Sequence, residues 1–115
     1  MEKITTAYSE ISVNTYNSEE ELILAIPKTI KTKIQLKVAK IDTPTLDLTI
    51  KIFGGLNGTD FFTTPLETID HAHTDEDCVY GVSIDTQDIA YLRIEFKCTD
   101  AYGFTITPTI TNVVL

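Results

Sequence analysis

The sequence predicts an all-β domain, an antiparallel β-sandwich of jelly-roll type with about eight strands. Three observations carry that expectation. Four runs alternate apolar and polar residues with a period of two, which gives a strand one dry and one wet face. Thr and Ile, both β-branched, recur along the chain and suit a pleated, half-buried surface better than a helix. Pro44 and the stretch Gly54-Gly55-Leu56-Asn57-Gly58-Thr59 punctuate the runs as turns do, joining strands rather than domains.

In chain order, Glu10 to Thr15 and Leu22 to Ile26 are short strand candidates. Between them Asn17-Ser18-Glu19-Glu20-Glu21 reads as a cap followed by acids, which predicts a single helical turn. From Lys33 the pattern places Ile34, Leu36 and Val38 inward against Lys33, Gln35 and Lys37. The next run puts Leu46, Leu48, Ile50 and Ile52 on one face. Asp60 to Thr63 and Val79 to Ile84 are further short candidates. Leu92, Ile94, Phe96 and Cys98 face inward while Tyr91, Arg93, Glu95 and Lys97 face out. The last run alternates Phe104, Ile106, Pro108 and Ile110 with threonines, and Pro108, which cannot donate to a ladder, predicts an edge or bulged strand.

With 115 residues, 43% hydrophobic and 23% charged, the chain is expected to form a single domain over 1–115 around one core. Its net charge of -8 repels phosphate backbones and anionic lipid, and Arg93 is its lone arginine, so no nucleic-acid partner is expected. No apolar run approaches the ~20 residues that cross a bilayer, and Met1 to Thr6 lacks the apolar stretch of a signal peptide, which predicts no membrane partner. Cys78 and Cys98 share inward parity, and a hairpin turning near Asp88 would set them opposite one another; two small buried thiols are the preferred reading.

The densest polar cluster is Asp70-His71-Ala72-His73-Thr74-Asp75-Glu76-Asp77. His71, His73, Asp75 and Asp77 are its candidate metal ligands, although their spacing matches neither a zinc signature nor the ordered oxygens of a calcium loop, and a solvated acidic loop is preferred. No nucleophile elbow or phosphate loop occurs, so neither enzyme activity nor a cofactor is expected. For sugar binding, the exposed tyrosines of interest are Tyr91 and Tyr102. For protein docking, Tyr91 and the β-prone end Val113, Val114 and Leu115 are the candidates, and Ile4, Tyr8 and Ile11 could extend onto a neighbour or pack on their own sandwich.

Two stretches carry a family resemblance. Leu46 to Ile52 followed by Asn57-Gly58-Thr59-Asp60-Phe61-Phe62, and Tyr91 to Phe96 followed by Gly103-Phe104-Thr105-Ile106-Thr107, resemble the small β-sandwich virion proteins of tailed bacteriophages. The resemblance covers about half of the chain, with Phe61-Phe62 where a tryptophan or tyrosine is frequent. It implies a virion structural protein, an auxiliary capsid (head decoration) or head-fibre-associated subunit that assembles with other virion proteins such as a major capsid protein, with homo-oligomers possible. A tail- or baseplate-associated domain, or a carbohydrate-binding sandwich, is the alternative.

Overall fold

The computed structural model describes residues 2–26 and 28–115. Nine strands occur among them, and no helix: β1 (Glu2–Ala7), β2 (Ile11–Val13), β3 (Glu19–Ala25), β4 (Thr29–Lys40), β5 (Leu48–Gly55), β6 (Glu67–His71), β7 (Cys78–Asp85), β8 (Tyr91–Lys97) and β9 (Phe104–Val114). All pairings are antiparallel. The first sheet has the order β1-β9-β4-β7, with β2 continuing along β9 beyond the end of β1. The second has the order β3-β8-β5-β6. From β2 to β5 successive strands change sheet, and β6, after its hairpin with β5, hands the chain back to the first. Counting β1 and β2 as one interrupted strand gives the eight positions of a jelly roll.

Parity read from the sequence matches the core. Ile34, Leu36, Val38, Ile106 and Ile110 from the first sheet meet Leu48, Ile50, Ile52, Leu92, Ile94 and Phe96 from the second, each at most 1% exposed. Each such side chain contributes roughly 1.5–3 kcal/mol relative to an exposed one, so this seam is the main stabilising term. Charged residues on the alternate positions, such as Lys33, Lys37 and Glu95, hold the outer faces in water.

Several expectations change. Glu19, Glu20 and Glu21 begin strand β3 rather than a helical turn, because pairing with β8 sets Glu19 against Lys97, whose ammonium reaches Glu19 at 3.6 Å and Glu95 at 3.4 Å. The turn lies just before it, where the Asn14 side-chain oxygen accepts from the amides of Tyr16 and Asn17. Asp60 to Thr63 supplies only an isolated bridge, Gly55 to Phe61, and the strand that pairs with β5 is instead β6. Leu46 lies outside β5 and is 48% exposed.

Pro108 sits in β9, an interior strand of the first sheet, not at an edge. Its carbonyl accepts from the Tyr8 amide at 2.9 Å, so its own nitrogen faces the same side. That is where the amino-terminal partner breaks between β1 and β2, so the missing donor interrupts a ladder that is already ending. Cys78 opens β7 in the first sheet, Cys98 directly follows β8 of the second, and both are free thiols; the link from β7 to β8 crosses between sheets and is no hairpin.

Candidate functional site

The 70–77 cluster is dispersed by the fold. His71 closes β6 and is fully buried, its Nδ1 sharing a 2.6 Å hydrogen bond with the Tyr80 hydroxyl on β7 and its ring edge-on to Phe104. This pair stitches the open side of the sandwich, since β6 and β7 are the edge strands there. Burial, reinforced by neighbouring Cys78, pushes the Tyr80 phenol up to about 12, so it remains a protonated hydroxyl in ordinary buffers.

His73 faces the other way. Its amide and its Nδ1 both bind Asp47 Oδ1, at 2.9 and 2.8 Å, and the amide bond, followed by the ring, lowers the Asp47 carboxyl. Asp75 accepts from the Ala72 amide and closes the turn, while Asp77 accepts from the Lys40 amide. Histidine spacing two residues apart would bring both rings to one side only in an extended chain, and the turn at 72–75 separates them. The four candidate metal ligands therefore have separate structural partners, and no group of three metal-binding side chains forms among the described residues.

Asp100 is a polar centre that the sequence reading missed. It is 2% exposed and accepts from the amides of Thr45, Leu46, Tyr102 and Gly103 and from the Thr45 hydroxyl. Burial alone would raise its carboxyl, but the converging amides outweigh it and hold the group far below the usual carboxylate range. Its role is to tie the loop before β5 to the loop before β9. An Asp three residues ahead of a Gly was the available turn signal.

The outer face of the second sheet holds a second feature. Register places Phe53, Arg93 and Ile23 in one row and Gly55, Tyr91 and Ala25 in the next. The Arg93 guanidinium lies 4.6 Å from the Phe53 ring centre and 5.0 Å from that of Phe61, a cation held between two aromatic rings. Tyr91 is half-buried, and Gly58 packs against its ring. Tyr102 follows the opposite end of β8, so the two tyrosines form no common sugar-stacking platform.

The carboxy-terminal candidates divide. Val113 and Val114 lie within β9, paired with β1 on one side and β4 on the other, and Val113 is 8% exposed; Leu115 alone of the three is open, at 82%. Beside β9 the sheet ends at β1, an edge strand whose six residues are all exposed and whose Ile4 is 47% exposed. Ladder alternation from the Tyr8 to Pro108 bond turns the backbone of Thr6, Ile4 and Glu2 toward β9 and that of Lys3, Thr5 and Ala7 outward.

No protein-family model and no curated protein matches the chain. Solved structures do. The K1 cleaved adhesin domain of Lys-gingipain from Porphyromonas gingivalis W83 matches with a TM-score of 0.61 at 11% identity, over 83% of this chain and 63% of that one. The enzymatically active domain of tailspike protein 4 of bacteriophage CBA120 matches with a TM-score of 0.60 at 8% identity, over 97% of this chain and 18% of that one. A chain of the disulfide-linked pili that form Bacillus endospore appendages gives 0.51 at 15% identity, over 98% and 88%. The chain thus spans less than two thirds of the adhesin and tailspike chains. At such identities the shared property is the fold, and it does not single out virion proteins. The chain is an antiparallel jelly-roll sandwich of a kind found in unrelated bacterial adhesin, pilus and phage tailspike proteins.

Proposed function

We propose that this jelly roll is a binding module that works by protein–protein assembly, and that it serves as a structural subunit of a tailed-phage particle. Its place there is an auxiliary head or head-fibre position against a major capsid protein. One observation carries the assembly reading: β1 is a six-residue edge strand, paired on one side and exposed throughout, with the backbone groups of Lys3, Thr5 and Ala7 aimed at solvent. Such an edge accepts a further strand by main-chain hydrogen bonds, and left bare it is a liability. The phage placement rests on the resemblance of Leu46 to Phe62 and Tyr91 to Ile110, and the fold shared with a phage tailspike domain is compatible with it.

Thr5→Pro tests the edge, because it removes an outward amide and leaves the β9 ladder whole. Thr5→Val controls for the lost 2.8 Å contact between the Thr5 and Thr111 hydroxyls. Light scattering after size exclusion, with and without the candidate shell protein, should show a complex for the parent and Thr5→Val and none for folded Thr5→Pro. A Thr5→Pro complex of parent affinity overturns docking through β1. Absence of the chain from purified particles overturns the phage placement.

A further inference from the structure

The outer face of the first sheet is laid out by register. Thr111, Lys33 and Ser83 form one row, Thr109, Gln35 and Gly81 the next, and Thr107, Lys37 and Val79 the third. The middle row is low at Gly81, where an added Cβ would meet no heavy atom within 4 Å. A trough of about 640 Å³ opens there and crosses β9, β4 and β7.

The fold itself gives no reason for this glycine. Gly103 has a positive φ of 74°, and a Cβ at Gly54, Gly55 or Gly58 would lie 3.2, 2.9 or 3.3 Å from a neighbour. Gly81 has ordinary strand geometry and open space above it. A glycine within a strand weakens it, and such a position often marks where a ligand or another backbone comes close.

Charge defines the ligand further. Lys33 lines the trough, Lys37 stands in the third row beside Val79 of its lining, and Lys31 and Lys3 flank Val113 in the row beyond Lys33. None of these four lysines forms an ion pair among the described residues, and Asp85 is the acid in register beside them. They make a positive face on a chain of net charge -8, where an anion is attracted locally and repelled elsewhere. Gln35, Ser83 and Thr109 add side-chain donors and acceptors that have no hydrogen-bond partner among the described residues.

We infer that this trough binds an acidic polysaccharide, a chain of hydroxyl-rich rings bearing carboxylates or sulfates. The Gln35, Ser83 and Thr109 side chains match ring hydroxyls, the lysines match the anionic groups, and the space over Gly81 admits a ring. Nucleic acid fits less well: the trough offers no arginine fork, and its one aromatic, Tyr80, turns its hydroxyl to His71. An acidic peptide crossing β9, β4 and β7 would run against the strand direction and could not extend their ladder. This inference is independent of the assembly reading.

The folded chain, titrated calorimetrically with polygalacturonate and with chondroitin sulfate, should bind at least one of them, with affinity falling as salt rises. Gly81→Leu should weaken that binding at least about tenfold with the thermal transition retained, as should the double variant Lys33→Gln/Lys37→Gln. Neutral dextran and polyglutamate should bind at least about tenfold more weakly than the acidic polysaccharide. Equal binding of polyglutamate, parent affinity in folded Gly81→Leu, or no binding of either acidic polysaccharide overturns the inference. If Gly81→Leu does not fold, parent affinity in the double lysine variant overturns it.

Discussion

Replacing Arg93 with methionine tests how the second sheet holds the long connection between β5 and β6. Methionine keeps an unbranched apolar stem and removes the cation from between Phe53 and Phe61, at 4.6 and 5.0 Å. Each cation–π contact at a part-exposed site contributes about 0.5–1 kcal/mol, so two give roughly 1–2 kcal/mol. The Glu95 contact, at 3.7 Å with the Arg93 side chain 26% exposed, adds at most a few tenths of a kcal/mol by the usual yield of surface ion pairs. In the other direction, Arg93 Nε is buried without a hydrogen-bond partner among the described residues, and removing it returns part of a desolvation cost. The net expectation is a loss of roughly 1 kcal/mol. In urea, with a slope of about 1–1.5 kcal/mol per molar for a domain of this size, the midpoint should fall by roughly 0.7–1 M with the slope unchanged. In a Phe61→Leu background one ring is gone, so Arg93→Met should cost roughly half as much. A parent-like midpoint in Arg93→Met, or an equal loss in both backgrounds, refutes the two-ring account.

Two further outcomes follow from the loop before β9. Gly103→Ala should destabilise by roughly 2–4 kcal/mol in the same urea experiment, because it adds left-handed backbone strain to a Cβ placed 1.9 Å from the Val13 carbonyl oxygen; a loss under about 1 kcal/mol would mean that the loop relaxes freely. Asp100 sets an acid limit. Its folded carboxyl is depressed, so its stabilisation is complete above the ordinary carboxylate range and is lost as pH falls from there toward the folded value. Unfolding midpoints measured downward from pH ~5 should therefore drop more steeply for the parent than for Asp100→Asn, and parallel profiles would remove Asp100 from the acid response.

Side-chain parity was legible along the chain because it is set locally. In an extended backbone Leu36 and Val38 face one way and Lys37 the other whatever the strand pairs with, and the same holds for Leu92, Ile94 and Phe96. The jelly-roll class followed from the number and spacing of such runs. Neighbours were not legible, because pairing depends on closure between distant segments, such as β1 with β9 and β3 with β8. Register with β8 drew Glu19 to Glu21 into a strand. The break between β1 and β2 let Pro108 occupy a central strand, and placement of β7 and β8 in different sheets separated Cys78 from Cys98.

The candidate sites divide along the same line. The polar cluster at 70–77 was visible as composition, but a single turn sends His71 into the core and His73 to Asp47. Gly81, Lys33 and Lys37 are unremarkable in sequence, each an isolated residue on a wet face. They come together, Gly81 and Lys33 in the trough and Lys37 in the row beside it, only when β4 is set between β7 and β9. The sequence by itself determined which side chains face the core, since that is a property of each strand's own geometry. The tertiary structure decided which faces, edges and charges adjoin, since those depend on contacts between residues far apart in the chain.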